Sequence, residues 1–155
     1  MGLLSKYRSR SINTHFWHDN GKGLRVLIED SDYARASAIS RILSEQGMES
    51  VICHGPEKIL RTKCPLVQDD YCPLVTNSDL IIFGFDLGDP EYLQILASIV
   101  PYSRKVPVVV LLGDDPSPIE EFLPATIFGV SPPITSRKMA RAVEIAMKEF
   151  AEQSH

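Results

Sequence analysis

The chain holds 155 residues, 44% of them hydrophobic and 23% charged, the balance of an ordinary globular domain rather than a disordered one. Its net charge of −4 argues against nucleic acid as the main partner, and no window is apolar for the roughly 20 residues that a membrane-spanning helix needs. Three cysteines, an odd number, argue against a secreted disulfide framework, and Met1-Gly2-Leu3-Leu4-Ser5-Lys6 has neither a signal peptide's apolar stretch nor the myristoylation pattern, so the cytoplasm is the expected compartment.

Residues 1–22 carry Lys6, Arg8, Arg10 and Lys22 against Asp19 and read as a basic tail. Within it, His15-Phe16-Trp17-His18 is either an aromatic plug tucked against the domain or a hook for a partner, with the plug favoured. The folded domain is expected over 23–152. Leu24 to Ile28 is a compact strand candidate that runs into Glu29, Asp30, Ser31 and Asp32. Ala38, Ile39, Ile42, Leu43 and Gln46 then recur at helical spacing, and Gly47 stands where a helix-ending glycine belongs. Ser50 to Cys53 is a second short strand.

Residues 55–77 should hold the next helix but carry Pro56, Pro65 and Pro73, so they read as an insertion with short helices or loops. Here Cys64-Pro65-Leu66-Val67 recurs as Cys72-Pro73-Leu74-Val75, after Cys53-His54. A cysteine before a proline and apolar residues can present its sulfur from a tight turn. Three readings stand: buried cysteines anchoring a loop, a zinc or iron–sulfur site at Cys53, Cys64 and Cys72 with His54 as a further ligand, or a regulatory redox pair of Cys64 with Cys72.

Leu80 to Phe85 is a third strand, apolar enough to be covered on both faces. Leu93, Leu96, Ala97 and Val100 mark a helix stopped by Pro101. Val106 to Leu112 and Thr126 to Val130 are the fourth and fifth strands. Pro116, Pro118 and Pro124 break the helix that should lie between them. Met139, Ala142, Val143, Ala146 and Phe150 draw the stripe of a last helix, capped by Thr135 or Ser136. Strands alternating with helices imply an α/β, flavodoxin-like three-layer sandwich around a five-stranded parallel sheet in the order 2-1-3-4-5, with first and last helices on one face.

Over roughly 24–150 this order of elements resembles the CheY-like receiver domain of two-component response regulators. In that family, acids after the first strand hold Mg²⁺ and an aspartate ending the third strand accepts a phosphoryl group. A Thr or Ser after the fourth strand and a Lys before a proline after the fifth contact its oxygens. Aligned to that pattern, the acidic pair falls on Asp30 and Ser31, or, one residue earlier, on Glu29 and Asp30. The acceptor position in Ser78-Asp79-Leu80-Ile81-Ile82-Phe83-Gly84 is Gly84, the hydroxyl position is Leu112, the lysine position is Pro132, and the aromatic of the last strand is Gly129. Asp86 is the rival acceptor, two residues beyond Gly84. The resemblance also implies a cis bond at Pro132–Pro133.

Without an acceptor, hydroxyl or lysine, a phosphoryl group would lack its neutralising partners. The expectation is therefore a pseudo-receiver, not an enzyme, without Mg²⁺ or another cofactor, that binds a protein partner or a second copy. The polar side of the last helix, with Arg137, Lys138, Arg141 and Glu144, would face solvent or that partner. The alternative function is a metal- or redox-responsive sensor that uses Cys53, Cys64 and Cys72 on the same scaffold.

Overall fold

The computed structural model describes residue 17 and residues 23–57, 62–114 and 123–153. Five strands, β1 (Arg25–Glu29), β2 (Glu49–Cys53), β3 (Leu80–Phe83), β4 (Val108–Leu111) and β5 (Ile127–Val130), form one sheet. Every neighbouring pair is parallel, and the order is β2-β1-β3-β4-β5, as expected. β3 and β4 are buried at every residue, because helices or loops cover both faces of a central parallel strand.

The side chains alternate between two cores. On one face Val26, Ile28, Ile82 and Val109 pack with Ala36, Ile39 and Leu43 of helix α1 (Tyr33–Glu45) and with Met139, Val143 and Ala146 of helix α5 (Ser136–Gln153). The first and last helices thus share a face. On the other, Leu27, Ile81, Phe83 and Val110 pack with Leu66 of helix α2 (Pro65–Asp69), Val75 of helix α3 (Pro73–Thr76) and Ile95, Leu96 and Ile99 of helix α4 (Pro90–Ile99).

Local sequence explains where the helices start and stop. The Asp32 side chain accepts the Arg35 N–H at 3.1 Å and caps α1, while Gly47, with φ of 79°, takes the left-handed conformation past its end. Thr135 Oγ1 accepts the Lys138 N–H at 3.1 Å and caps α5. The insertion is two short helices, with Cys64 and Cys72 as their N-cap residues and Pro65 and Pro73 in their first turns, so the repeated Cys-Pro-Leu-Val is a repeated structural unit. Pro101 does not stop the chain from coiling. It sits in the first turn of a 3₁₀ helix, Val100–Arg104, that continues α4, because a proline at a helix start forfeits no hydrogen bond.

Of the proposed aromatic plug, Trp17 is buried, at 4% exposure, with the Arg25 guanidinium 5.9 Å from its ring centre. His15, Phe16 and His18 lie outside the described residues, as do residues 115–122. The Pro132–Pro133 bond is cis. No helix among the described residues is long and apolar enough to cross a membrane.

Candidate functional site

The C-terminal ends of β1, β3, β4 and β5 converge where a receiver would hold its phosphoryl group. Asp30, just past β1, is fully buried, and an isolated carboxylate there would be costly. Its partner is Arg35, in the first turn of α1: Nε lies 2.6 Å from Oδ2 and Nη2 lies 2.9 Å from Oδ1. The backbone N–H of Asp32 adds a third bond to Oδ1, at 2.9 Å. The same Nη2 donates to the carbonyl of Gly84 at 2.6 Å, so one guanidinium joins the ends of β1 and β3. The bond to Asp30 holds the Arg35 pKa above its ordinary value, against the opposing effect of burial.

This arrangement closes the acceptor position. A Cβ at Gly84 would meet Asp30 Oδ2 at 2.8 Å, closer than a Cβ normally comes to another atom, and Leu111 Cδ1 at 3.1 Å, a tight contact. The acids do not fit a divalent ion either. Ser31 is exposed. In the shifted pairing, Glu29 lies towards Cys53, Cys64 and Cys72, away from the Asp30–Arg35 pair. One carboxylate remains, and a guanidinium already saturates it.

The remaining pocket positions are occupied for other purposes. Leu112 is buried, and a Cβ at Gly129 would stand 2.8 Å from Leu112 Cδ1, so the leucine fills the space beside the missing aromatic. Pro132 is exposed. Asp86 is exposed and folded back on its own loop, accepting the Gly88 N–H at 2.9 Å. Lys138 Nζ reaches the Ser131 carbonyl at 2.6 Å, while Arg137, Arg141 and Glu144 are exposed.

His54 is turned towards the pocket's backbone. Its Nδ1 lies 3.0 Å from the Asp30 carbonyl and must donate to it, and its ring stacks on Tyr33 with centres 3.7 Å apart. Among the described residues no three His, Cys, Asp or Glu side chains form a group that could hold a metal ion. All three cysteines are free and half-buried. Burial pushes the Cys53 thiol up to about 12 and raises Cys64 and Cys72, which keeps them protonated at neutral pH. Beside them Glu29 is buried, and its Oε2 has no hydrogen-bond partner among the described residues. Desolvation raises its carboxyl to about 8.

Sequence reading missed Arg35. A signal existed: a cation in a helix's first turn opposes the helix dipole and so calls for a nearby anion, here the acid five residues earlier.

No family model matches the chain, and no curated protein sequence matches it. Solved structures do. A CheY-like response regulator receiver domain protein from Methanospirillum hungatei JF-1 superposes with a TM-score of 0.61 at 17% identity, covering 85% of this chain and 99% of that one. The N-terminal domain of a response regulator/sensory box/GGDEF 3-domain protein from Carboxydothermus hydrogenoformans gives 0.61 at 24% identity, covering 84% and 99%. A response regulator receiver protein from Sinorhizobium medicae WSM419 gives 0.63 at 12%, covering 83% and 98%. Strand order, helix placement and these superpositions together give the chain the CheY-like receiver fold.

Proposed function

We propose that the chain is a two-component-type signalling module, a pseudo-receiver, that works by binding other proteins without phosphoryl transfer. The observation that carries this reading is the guanidinium of Arg35. It holds Asp30 through both carboxylate oxygens and leaves no room for a side chain at Gly84. A receiver needs a divalent ion and an acceptor carboxylate at this point, because the transferred phosphoryl group must be neutralised as it arrives. Here an internal cation takes the ion's place permanently. Leu112 packs against Gly129 where a receiver's switch aromatic would stand, and a switch needs a ligand that binds two conformations with different affinity.

Binding would use the exposed polar side of α5, with Arg137, Lys138, Arg141 and Glu144. The sensor reading at Cys53, Cys64 and Cys72 has less support, since those side chains form no group that could hold a metal ion and their thiols are held neutral.

The test is treatment with acetyl phosphate and Mg²⁺, followed by intact-mass measurement, with beryllofluoride titrated in parallel. An unchanged mass and unchanged amide spectra are expected. A mass increase of one phosphoryl group, lost in Asp86→Asn, would refute the reading and make Asp86 the acceptor.

A further inference from the structure

We propose that the open edge of β5 accepts an extended, acidic segment of a partner protein as a sixth strand, its carboxylates held by Lys138 and Arg141. The proposal rests on the protein-binding reading above and gives the chemistry of the partner.

β5 is the outermost strand, and β4 is its one strand partner among the described residues. The Leu112 N–H donates to the Val130 carbonyl at 2.8 Å. In a parallel ladder the polar groups of alternate residues point the same way, so Phe128 and Val130 face β4 while Ile127, Gly129 and Ser131 face outwards. The Ile127 N–H turns back to the Pro124 carbonyl at 3.0 Å, and the Ser131 carbonyl is taken by Lys138. Among the described residues, the C=O of Ile127, the N–H and C=O of Gly129 and the N–H of Ser131 are left facing the open side. Gly129 is exposed and has no side chain, the condition under which a second backbone can come close.

Beside this edge lies a groove of about 350 Å³ between β5 and α5, whose lining includes Phe128, Gly129, Lys138, Arg141 and Ile145. Lys138, Arg141 and Ile145 share one helix face by their spacing. Among the described residues, two cations and no carboxylate line the groove, which selects an acidic occupant. The occupant must be extended, because a helix has already spent its backbone N–H groups internally and only a strand can pair with both groups of Gly129. Its alternate side chains, roughly 6–7 Å apart, would set a row of carboxylates beside Lys138 and Arg141 and turn its other side chains to the opposite face. A second copy of this chain is a poorer occupant, since joining two β5 edges about a twofold axis would set Lys138 and Arg141 against their own copies.

The probe is a fluorescein-labelled Glu-Val-Asp-Val-Glu peptide, titrated by anisotropy, with the backbone amides followed by NMR. Saturable binding is expected, weakened by salt, with the Gly129 and Ser131 amides shifted and slowed in exchange. The double variant Lys138→Glu/Arg141→Glu should lose affinity by roughly tenfold or more, as when an interfacial charge contact is removed. The milder Arg141→Gln, with its melting point checked, guards against misfolding as the cause. A Lys-Val-Lys-Val-Lys peptide should not bind, and proline at the central position should abolish binding by removing a ladder donor. No binding, binding undiminished in both variants, or amide shifts confined to other residues would overturn the proposal. So would a concentration-dependent dimer in sedimentation that Arg141→Glu dissolves, which would assign the edge to a second copy. If the peptide fails while acetyl phosphate leaves the mass unchanged, strand addition falls and the pseudo-receiver reading stands. A phosphorylated product would instead remove that reading, whatever the peptide does.

Discussion

Replacing Glu29 with Gln should make the protein more stable at neutral pH and flatten its pH dependence. Glu29 ends β1 on the face of the cysteines, is 5% exposed, and has an oxygen without a partner among the described residues. Burial moves its carboxyl from 4.5 to about 8. The folded state therefore keeps the proton over a range in which the unfolded chain has released it. Below pH 4.5 both states are protonated and the group has no differential effect. From there up to about 8 the unfolded state alone ionises, and stability falls by about 1.4 kcal/mol per pH unit. The loss reaches about 3 kcal/mol at pH 7 and about 5 kcal/mol once both states are ionised, large against the ~5–15 kcal/mol that holds a domain together.

Glutamine keeps the shape and a neutral polar head, so both proteins should have similar stability near pH 5. The assay is urea denaturation from pH 5 to pH 8.5; both proteins carry the same three thiols, so their ionisation in the unfolded chain near the upper end affects both profiles alike. The wild type should lose stability steadily up to about pH 8, while Glu29→Gln should lack that component. Parallel profiles would refute the reasoning, and would mean that the carboxylate is charged in the folded protein and has a partner.

Other outcomes follow from the same geometry. Arg35→Ala leaves Asp30 buried and unpaired, and should cost about 3–5 kcal/mol in denaturation. Adding Asp30→Asn should restore part of that loss, a non-additivity that two independent sites would not show. Gly84→Asp should not create a working acceptor, because its Cβ would collide with Asp30 Oδ2; a destabilised protein that stays unphosphorylated is expected, and a stable acyl phosphate would contradict it. The thiols should react slowly with iodoacetamide at pH 7 in the native state, with Cys53 slowest because its pKa is pushed up to about 12, and all three should react quickly in urea; equal native and unfolded rates would contradict their burial.

The architecture was legible because the strands are short, apolar runs and the helices show stripes: Ile39, Ile42 and Leu43 of the expected α1 stripe reach the core, with Ala36 there instead of the exposed Ala38 and Gln46, and Met139, Val143 and Ala146 do so in α5. Such patterns fix which face of each element is buried, and the parallel order follows from alternation. Element ends were less legible. Phe85 and Leu112 continue the apolar runs and are buried, yet they lie past the ends of β3 and β4, although the Leu112 N–H still reaches the Val130 carbonyl, because apolarity reports burial and not the extent of strand pairing. The insertion was read as short helices or loops from its prolines. What composition could not show was that those prolines start helices as readily as they end them.

The site was legible by what it lacks more than by what it holds. Gly84, Leu112 and Pro132 could be read directly as missing chemistry, since a side chain that is absent needs no geometry to be judged. The replacement could not be read that way. Arg35 lies five residues from Asp30, off the three- and four-residue spacing that marks ion pairs within a helix, because the acid sits before the cap and the chain turns between them. The pair also accounts for Gly84. With Asp30 held in place by two guanidinium bonds, any Cβ at that position would be driven into its carboxylate. The missing acceptor and the arginine plug are therefore one arrangement: restoring an aspartate at 84 alone would set a second carboxylate against the first, and removing Arg35 alone would strand a buried charge. Under the pseudo-receiver reading, phosphoryl chemistry at position 84 would require changing both positions together and adding a second metal-binding acid.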